Sequence, residues 1–192
     1  MTGTYRADMD DVSQLDTRLL SDLLRRFPEI ESVEITGPHS DENYKQHKDL
    51  LFNCKGKIVS VDVKGYKFSK RGDKDLNGNS IERLKQKHDY DVIWLERKNN
   101  AGMDGWIVPK EDGPDYIAFR HPKCFILVKP SNLLELWNEK IPNDTKHETN
   151  TPTGYYAPYT RKKYGHDDLT AKFKFDDLLQ LAENGKAKII QY

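Results

Sequence analysis

Leucines recur along residues 11–27 (DVSQLDTRLLSDLLRRF) at Leu15, Leu19, Leu20, Leu23 and Leu24. Spacings of three, four and one put them on one side of a helix, an amphipathic stripe that Pro28 closes. Residues 30–36 (IESVEIT) alternate with the period of a half-buried strand, and 37–48 (GPHSDENYKQHK) are a polar loop. Two strands follow, 49–54 and 57–64, joined at Lys55-Gly56. Residues 65–88 are polar and contain glycine, which predicts a long loop with a short helix near 80–87. Strands are predicted over 90–97 (YDVIWLER) and 104–109 (DGWIVP), whereas 115–119 (DYIAF) is apolar but too short to assign. Residues 123–129 (KCFILVK) read as a buried strand. Ser131 is placed to cap a helix over 132–139 with Leu133, Leu134, Leu136 and Trp137 as its apolar residues. Residues 140–154 are a turn-rich loop, and 155–165 (YYAPYTRKKYG) are aromatic and basic. Residues 175–184 (FDDLLQLAEN) predict a last helix stopped by Gly185, and KIIQY adds an edge strand.

No internal repeat and no second core interrupt this order. It predicts one α/β domain over residues 1–192, a central mixed β-sheet flanked by helices, with the core at about 11–139 and a C-terminal extension over 140–192. About a third of the residues are charged, and no apolar run approaches the ~20 residues of a membrane span. The acidic, polar start MTGTYRADMDDVSQLD lacks the basic and apolar regions of a signal peptide. Cys54 and Cys124 show no CxxC spacing, which disfavours a disulfide framework or a thiolate zinc site. These features lead us to expect a cytoplasmic protein (the host cytoplasm, if virus-encoded) with no membrane partner. Net charge is zero, so no general basic coat is present. Yet residues 1–50 carry −5 and residues 51–100 carry +5. The basic excess sits just after the strand 57–64, although a solvated mixed-charge surface would explain it equally well.

The segment 49–64, DLLFNCKGKIVSVDVK, changes the picture most. With Lys55-Gly56 as a two-residue turn, facing residues have numbers that sum to 111. Phe52 then faces Val59 and Leu50 faces Val61, on one apolar face shared with Val63. Asp49 falls opposite Asp62, and Lys64 lies two residues on, on the same side. Facing Cβ atoms are only about 4.5–5.5 Å apart, and like charges there destabilise a sheet. A divalent cation gives such a pair a reason to exist, because Mg²⁺ takes carboxylate oxygens and water. Lys64 beside it can hold a water or stabilise charge building on a phosphate. A plain hairpin end, with Asp62 paired only to Lys64, is the bland alternative, and one bulge would send Asp49 to the apolar face.

Asp49, the strand turn and Asp62-Val63-Lys64 resemble the D…(D/E)-x-K signature of the PD-(D/E)xK nucleases. That superfamily includes type II restriction enzymes, Holliday-junction resolvases and many phage nucleases. Lys48 stands where the signature's proline would be, and Asp62 replaces the commoner Glu. The later blocks VDVKGYKFSKRGDKD, DVIWLERKNNAGMDGWIV, PDYIAF, FILVKPSNLLEL and DLLQL resemble small phage-encoded members in their order. The resemblance implies a restriction-endonuclease-like fold and Mg²⁺-dependent cleavage of DNA, with branched or single-stranded DNA among the candidate substrates and Mn²⁺ as a substitute. It implies that Asp49, Asp62 and the Val63 carbonyl bind the metal and that Lys64 positions the attacking water. A third acid often comes from the first helix of such proteins. Asp16, Asp22 and Glu34 are the candidates, each read more readily as a surface residue. A rival motif, Glu96-Arg97-Lys98, lacks a well-placed upstream Asp, although Glu96 could lie beside the site.

Lys67, Lys70, Arg71 and Lys74 leave the catalytic strand directly and suit phosphates flanking the scissile bond, or form a solvated charged loop. Tyr155, Tyr156, Tyr159, Arg161, Lys162, Lys163 and Tyr164 interleave rings and cations, which suits unpaired bases, or pack on the core. Gly102, Gly105 and Trp106 shape a hairpin better than a phosphate loop. The histidines lack metal-ligand spacing; His166 with Asp167 and Asp168 reads as a helix entry, and His47 lies two residues before Asp49. DNA is thus the expected partner, and cutting two strands would call for a homodimer. Two rivals stand beside this: a non-catalytic DNA-binding or replication accessory protein with a nuclease fold, and an interaction factor that binds no nucleic acid.

Overall fold

The computed structural model describes residues 4–37, 40, 46–65, 67–68, 88–143, 146–149, 154–161, 165 and 167–192, and for 4–13, 67–68 and 88–89 the backbone alone. Helix α1 (Thr4–Leu24) leads into strand β1 (Ile30–Ile35), then β2 (Leu50–Cys54) and β3 (Lys57–Lys64). The pair β4 (Lys67–Phe68) and β5 (His88–Asp89) follows, then β6 (Val92–Lys98), β7 (Tyr116–His121), β8 (Cys124–Val128) and α2 (Pro130–Lys140). The chain closes with β9 (His147–Glu148), β10 (Tyr159–Thr160), β11 (Leu169–Lys174), α3 (Phe175–Glu183) and β12 (Ala187–Gln191).

Six strands form a mixed sheet in the order β1-β2-β3-β7-β8-β12, with β3 and β7 parallel and the other neighbours antiparallel. A second sheet runs β6-β11-β10-β9. The domain is therefore mixed α/β, as expected, with three helices among the described residues. Alternation along β7 and β8 explains how two layers share the first sheet. Ala118, Phe125 and Leu127 join Leu50, Phe52, Val59, Val61 and Val63 on the face that meets Leu20, Leu23 and Leu24 of α1. Ile117, Phe119, Cys124, Ile126 and Val128 point the other way, against the second sheet and helices α2 and α3. Strand β8 is buried throughout because both faces are covered. Burial of some thirty apolar side chains, each contributing about 1.5–3 kcal/mol, dominates the stability.

Several sequence expectations need correction. Helix α1 begins at Thr4 rather than at residue 11. The 115–119 segment is a full strand, β7, held beside β3 by Asp115, whose Oδ2 accepts from Ser60 N and Ser60 Oγ, both at 2.9 Å. Residues 104–109 make only an isolated bridge, Asp104 to Lys98, because the chain turns around Asn99, whose Oδ1 accepts from Ala101 N and Met103 N. Helix α2 starts on Pro130 with Lys129 as N-cap, so Ser131 lies inside it and does not cap it. Asp168 precedes β11, not a helix. The stretch 140–192 is no extension. Leu169, Ala171, Phe173, Phe175, Leu178 and Leu181 share one core with Trp137, and β12 completes the first sheet beside β8. The expected helix near 80–87 lies outside the described residues. No helix among the described residues is long and apolar enough to cross a membrane.

Candidate active site

The hairpin forms in the register the sequence predicts: Leu50 faces Val61, Leu51 Ser60, Phe52 Val59 and Asn53 Ile58. Lys55 and Gly56 both adopt positive φ, 52° and 76°, the conformation of a two-residue type I′ turn. The register pairs end at Leu50 and Val61, so Asp49 lies just before β2 and is not the ladder partner of Asp62 that the sequence predicts. Instead Asp49 N donates to Val61 O at 2.9 Å, sharing Val61 with Leu50. Thr36 N donates to Asp49 O at 3.1 Å, and the Thr36 hydroxyl donates to the Lys48 carbonyl, so the end of β1 fixes this entry.

Asp62 and Lys64 alternate with Val61 and Val63 along β3 and so lie away from the α1 face, and Asp49 reaches β3 from the entry to β2. Asp49 Oδ2 accepts from Val63 N at 2.7 Å. Lys64 Nζ lies 2.8 Å from Asp62 Oδ2. Desolvation and the Asp62 charge push the Asp49 carboxyl up to about 6, against the pull of Lys64 and the Val63 amide. Burial works against the Lys64 ammonium, but Asp62, Asp49 and Glu96 outweigh it and raise its pKa. Lys64 is therefore a fixed cation, suited to holding an anion and not to accepting a proton. Asp62 is 3 % exposed and Asp49 is half-buried, so the pair is reached from the Asp49 and Lys64 side. A small pocket lined by Gln46, His47, Trp106, Lys110, Pro114 and Pro130 adjoins this region through Trp106, whose ring lies 5.0 Å from Lys64 Nζ, although Asp49, Asp62 and Lys64 do not line it.

The Asp62 charge acts on Asp49, and a proton or a cation beside two such carboxyls relieves their repulsion. Mg²⁺ is commonly held by one or two carboxylates and keeps several waters, so Asp49 and Asp62 are residues that could hold it.

Of the third-acid candidates, Asp22 is exposed and pairs with Arg25 at 3.3 Å, and Glu34 is exposed on β1. Asp16 departs from the surface expectation: it is fully buried and paired with Arg120 of β7. Its Oδ2 packs on Gly65, where an added Cβ would lie 2.3 Å from that oxygen. Two residues that the sequence raised as neighbours of the site, Glu96 and His47, feel the charge of the amine. Burial pushes the Glu96 carboxyl up while Lys64 pulls it down, which marks it as an acid beside the site. Partial desolvation, Lys64 and Lys110 push the His47 imidazole down, although the residue as a whole is exposed. His47 also holds a positive φ of 54°.

Of the expected nucleic-acid residues, Lys67, Tyr159 and Arg161 are among the described ones. Tyr159 is 7 % exposed and packs edge-on against Trp94, so its ring is not free to stack on a base. Arg161 is tied to buried Asp168 through Nε at 2.8 Å and to Asn100 Oδ1 at 2.8 Å, which gives it a structural role. Tyr156 donates to Asp177 at 2.9 Å. Lys67 begins β4, directly beyond Gly65 and residue 66. Lys70, Arg71, Lys74, Lys162, Lys163, Tyr164 and His166 lie outside the described residues.

Comparisons with family models, with curated proteins and with solved structures return no match.

Proposed function

We propose that the chain is a metal-dependent endonuclease that hydrolyses phosphodiester bonds in DNA, with branched or single-stranded DNA as the substrates to try first. The observation that carries this reading is the Lys64 ammonium 2.8 Å from Asp62 Oδ2 on β3, with Asp49 Oδ2 held at 2.7 Å by the amide of Val63 between them. In the proposal Asp49 and Asp62 hold Mg²⁺ or Mn²⁺, joined by the Val63 carbonyl. When bound, the cation supplies the charge that draws in a phosphodiester and makes water more acidic. The Val63 amide orients Asp49 by donating to its Oδ2. Lys64 offers a permanent positive charge to the phosphoryl oxygens or to the attacking water, and it stands ready where charge develops. Attack on phosphorus in line with the leaving oxygen breaks one P–O bond. It leaves one strand end with a phosphate and the other with a hydroxyl.

The test is incubation of plasmid, branched and single-stranded DNA with Mg²⁺, Mn²⁺ or EDTA. Cleavage that needs the metal and is lost in Asp49→Ala is the expected result. DNA binding without any cleavage would favour the accessory-protein reading. Absence of binding even at low salt would favour an interaction factor, because phosphate contacts are strongest there.

A further inference from the structure

We propose that the turn at residues 104–107 is a clamp for Lys64, with Trp106 as a positioning residue for the catalytic amine; the catalytic part of this inference rests on the nuclease reading above. Lys64 Nζ lies 5.0 Å from the centre of the Trp106 ring, within the range of a cation–π contact. The ring also packs 6.1 Å from Phe119, which is the register partner of Lys64 on β7. Trp106 thus covers the paired positions of two parallel strands where they reach the site.

The turn is built to hold the ring there. Gly105 N donates to Arg97 O at 2.8 Å, and Ile107 N donates to Glu96 O at 3.4 Å. A Cβ on Gly105 would lie 2.2 Å from Glu96 O, so only glycine allows the turn to sit this close to β6. Ile107, next to Trp106, is fully buried and anchors the turn in the core. Lys110 Nζ donates to Asp104 O at 3.0 Å and closes the turn from the other side. Lys64 is then held on two sides, by Asp62 from its own strand and by Trp106 from the second layer. An amine on a flexible four-carbon stem gains most from such support. Neither Trp106 nor Gly105 is needed to form the β2–β3 hairpin, which points to a role in placing the amine.

The experiment pairs proton NMR of the metal-free protein with cleavage kinetics. The Lys64 ε-methylene signals, assigned by their loss in Lys64→Arg, should be shifted upfield by the ring current of Trp106. Trp106→Leu should return them to the ordinary lysine position, Trp106→Phe should keep part of the shift, and Gly105→Ala should reduce it. Cleavage by Trp106→Leu should show kcat lowered by roughly ten- to a hundredfold with KM little changed, and Trp106→Phe should recover part of the loss. Ordinary Lys64 shifts in the wild type, or a wild-type kcat in a folded Trp106→Leu protein, would overturn the clamp. Should the wild type cleave no DNA, the nuclease reading falls, and the ring-current shift alone then upholds or overturns the clamp.

Discussion

Asp49 is a residue whose proposed function works against the fold. Its carboxyl sits at about 6 in the native chain against 3.8 as the ordinary value. Below pH 4 both native and unfolded chains hold the proton, so Asp49 is neutral to stability. Between about 4 and 6 only the native chain holds it, and stability falls as pH rises. Above about 6 the penalty is constant, on the order of 2 kcal/mol once partial solvent access is allowed for. Asp49→Asn should therefore melt higher than the wild type at pH 8 in EDTA, by several degrees, with the gap closing near pH 4. Thermal denaturation at the two pH values checks this, and an equal or lower melting point at pH 8 would contradict it. Asp16 and Arg120 make the opposite case, a buried pair whose loss is costly. Arg120→Met should destabilise by about 3–5 kcal/mol in urea denaturation, because Asp16 is left buried and unpaired. Asp16→Leu combined with Arg120→Met should restore most of the loss. A single variant as stable as the wild type would show the pair to be idle.

At the scale of elements, the β2–β3 hairpin was legible because two independent patterns agree. The apolar residues Leu50, Phe52, Val59, Val61 and Val63 fix the face, and Lys55-Gly56 fixes the turn, so the register followed. The turn is nonetheless imperfect, since Lys55 bears a φ of 52° that Asn tolerates better. Lys55→Asn should raise stability by up to about 1 kcal/mol in urea denaturation and leave cleavage unchanged. Lower stability would mean that Lys55 makes a contact beyond the turn. Other elements were illegible for physical reasons. Strand β7 hid because its four-residue apolar run, Tyr116 to Phe119, is ambiguous until Asp115 ties it to Ser60 across 55 positions. Residues 104–109 look like a strand in composition, yet the Asn99 side chain turns the chain and Gly105 docks on β6 instead. Strand β11 had a period of two in Leu169, Ala171 and Phe173, a signal that the polar residues around it masked. Asp16 was misjudged because a leucine stripe shows which side of a helix faces inward but not that an arginine waits on a distant strand.

For the whole molecule, the site lies where two layers meet. The hairpin brings the acids and the amine, and the second layer brings Trp106 and Glu96. This division explains why the site was only half readable: local register was written in residues 49–64, whereas the second layer depends on contacts over long sequence distances. It also makes the C-terminal residues part of the machinery, since β11 holds β6 in place through six register pairs from Val92 to Lys98. The central claim is that Asp49, Asp62 and Lys64 form one catalytic centre. Asp62→Asn tests it most directly, since it keeps the shape of the side chain while removing its charge. The measurement is the rate of Mg²⁺-dependent cleavage on the best DNA substrate by purified wild type and Asp62→Asn, with folding confirmed by their melting curves. The expected result is a folded variant with cleavage lost to background; a folded variant that cuts at the wild-type rate would contradict the claim.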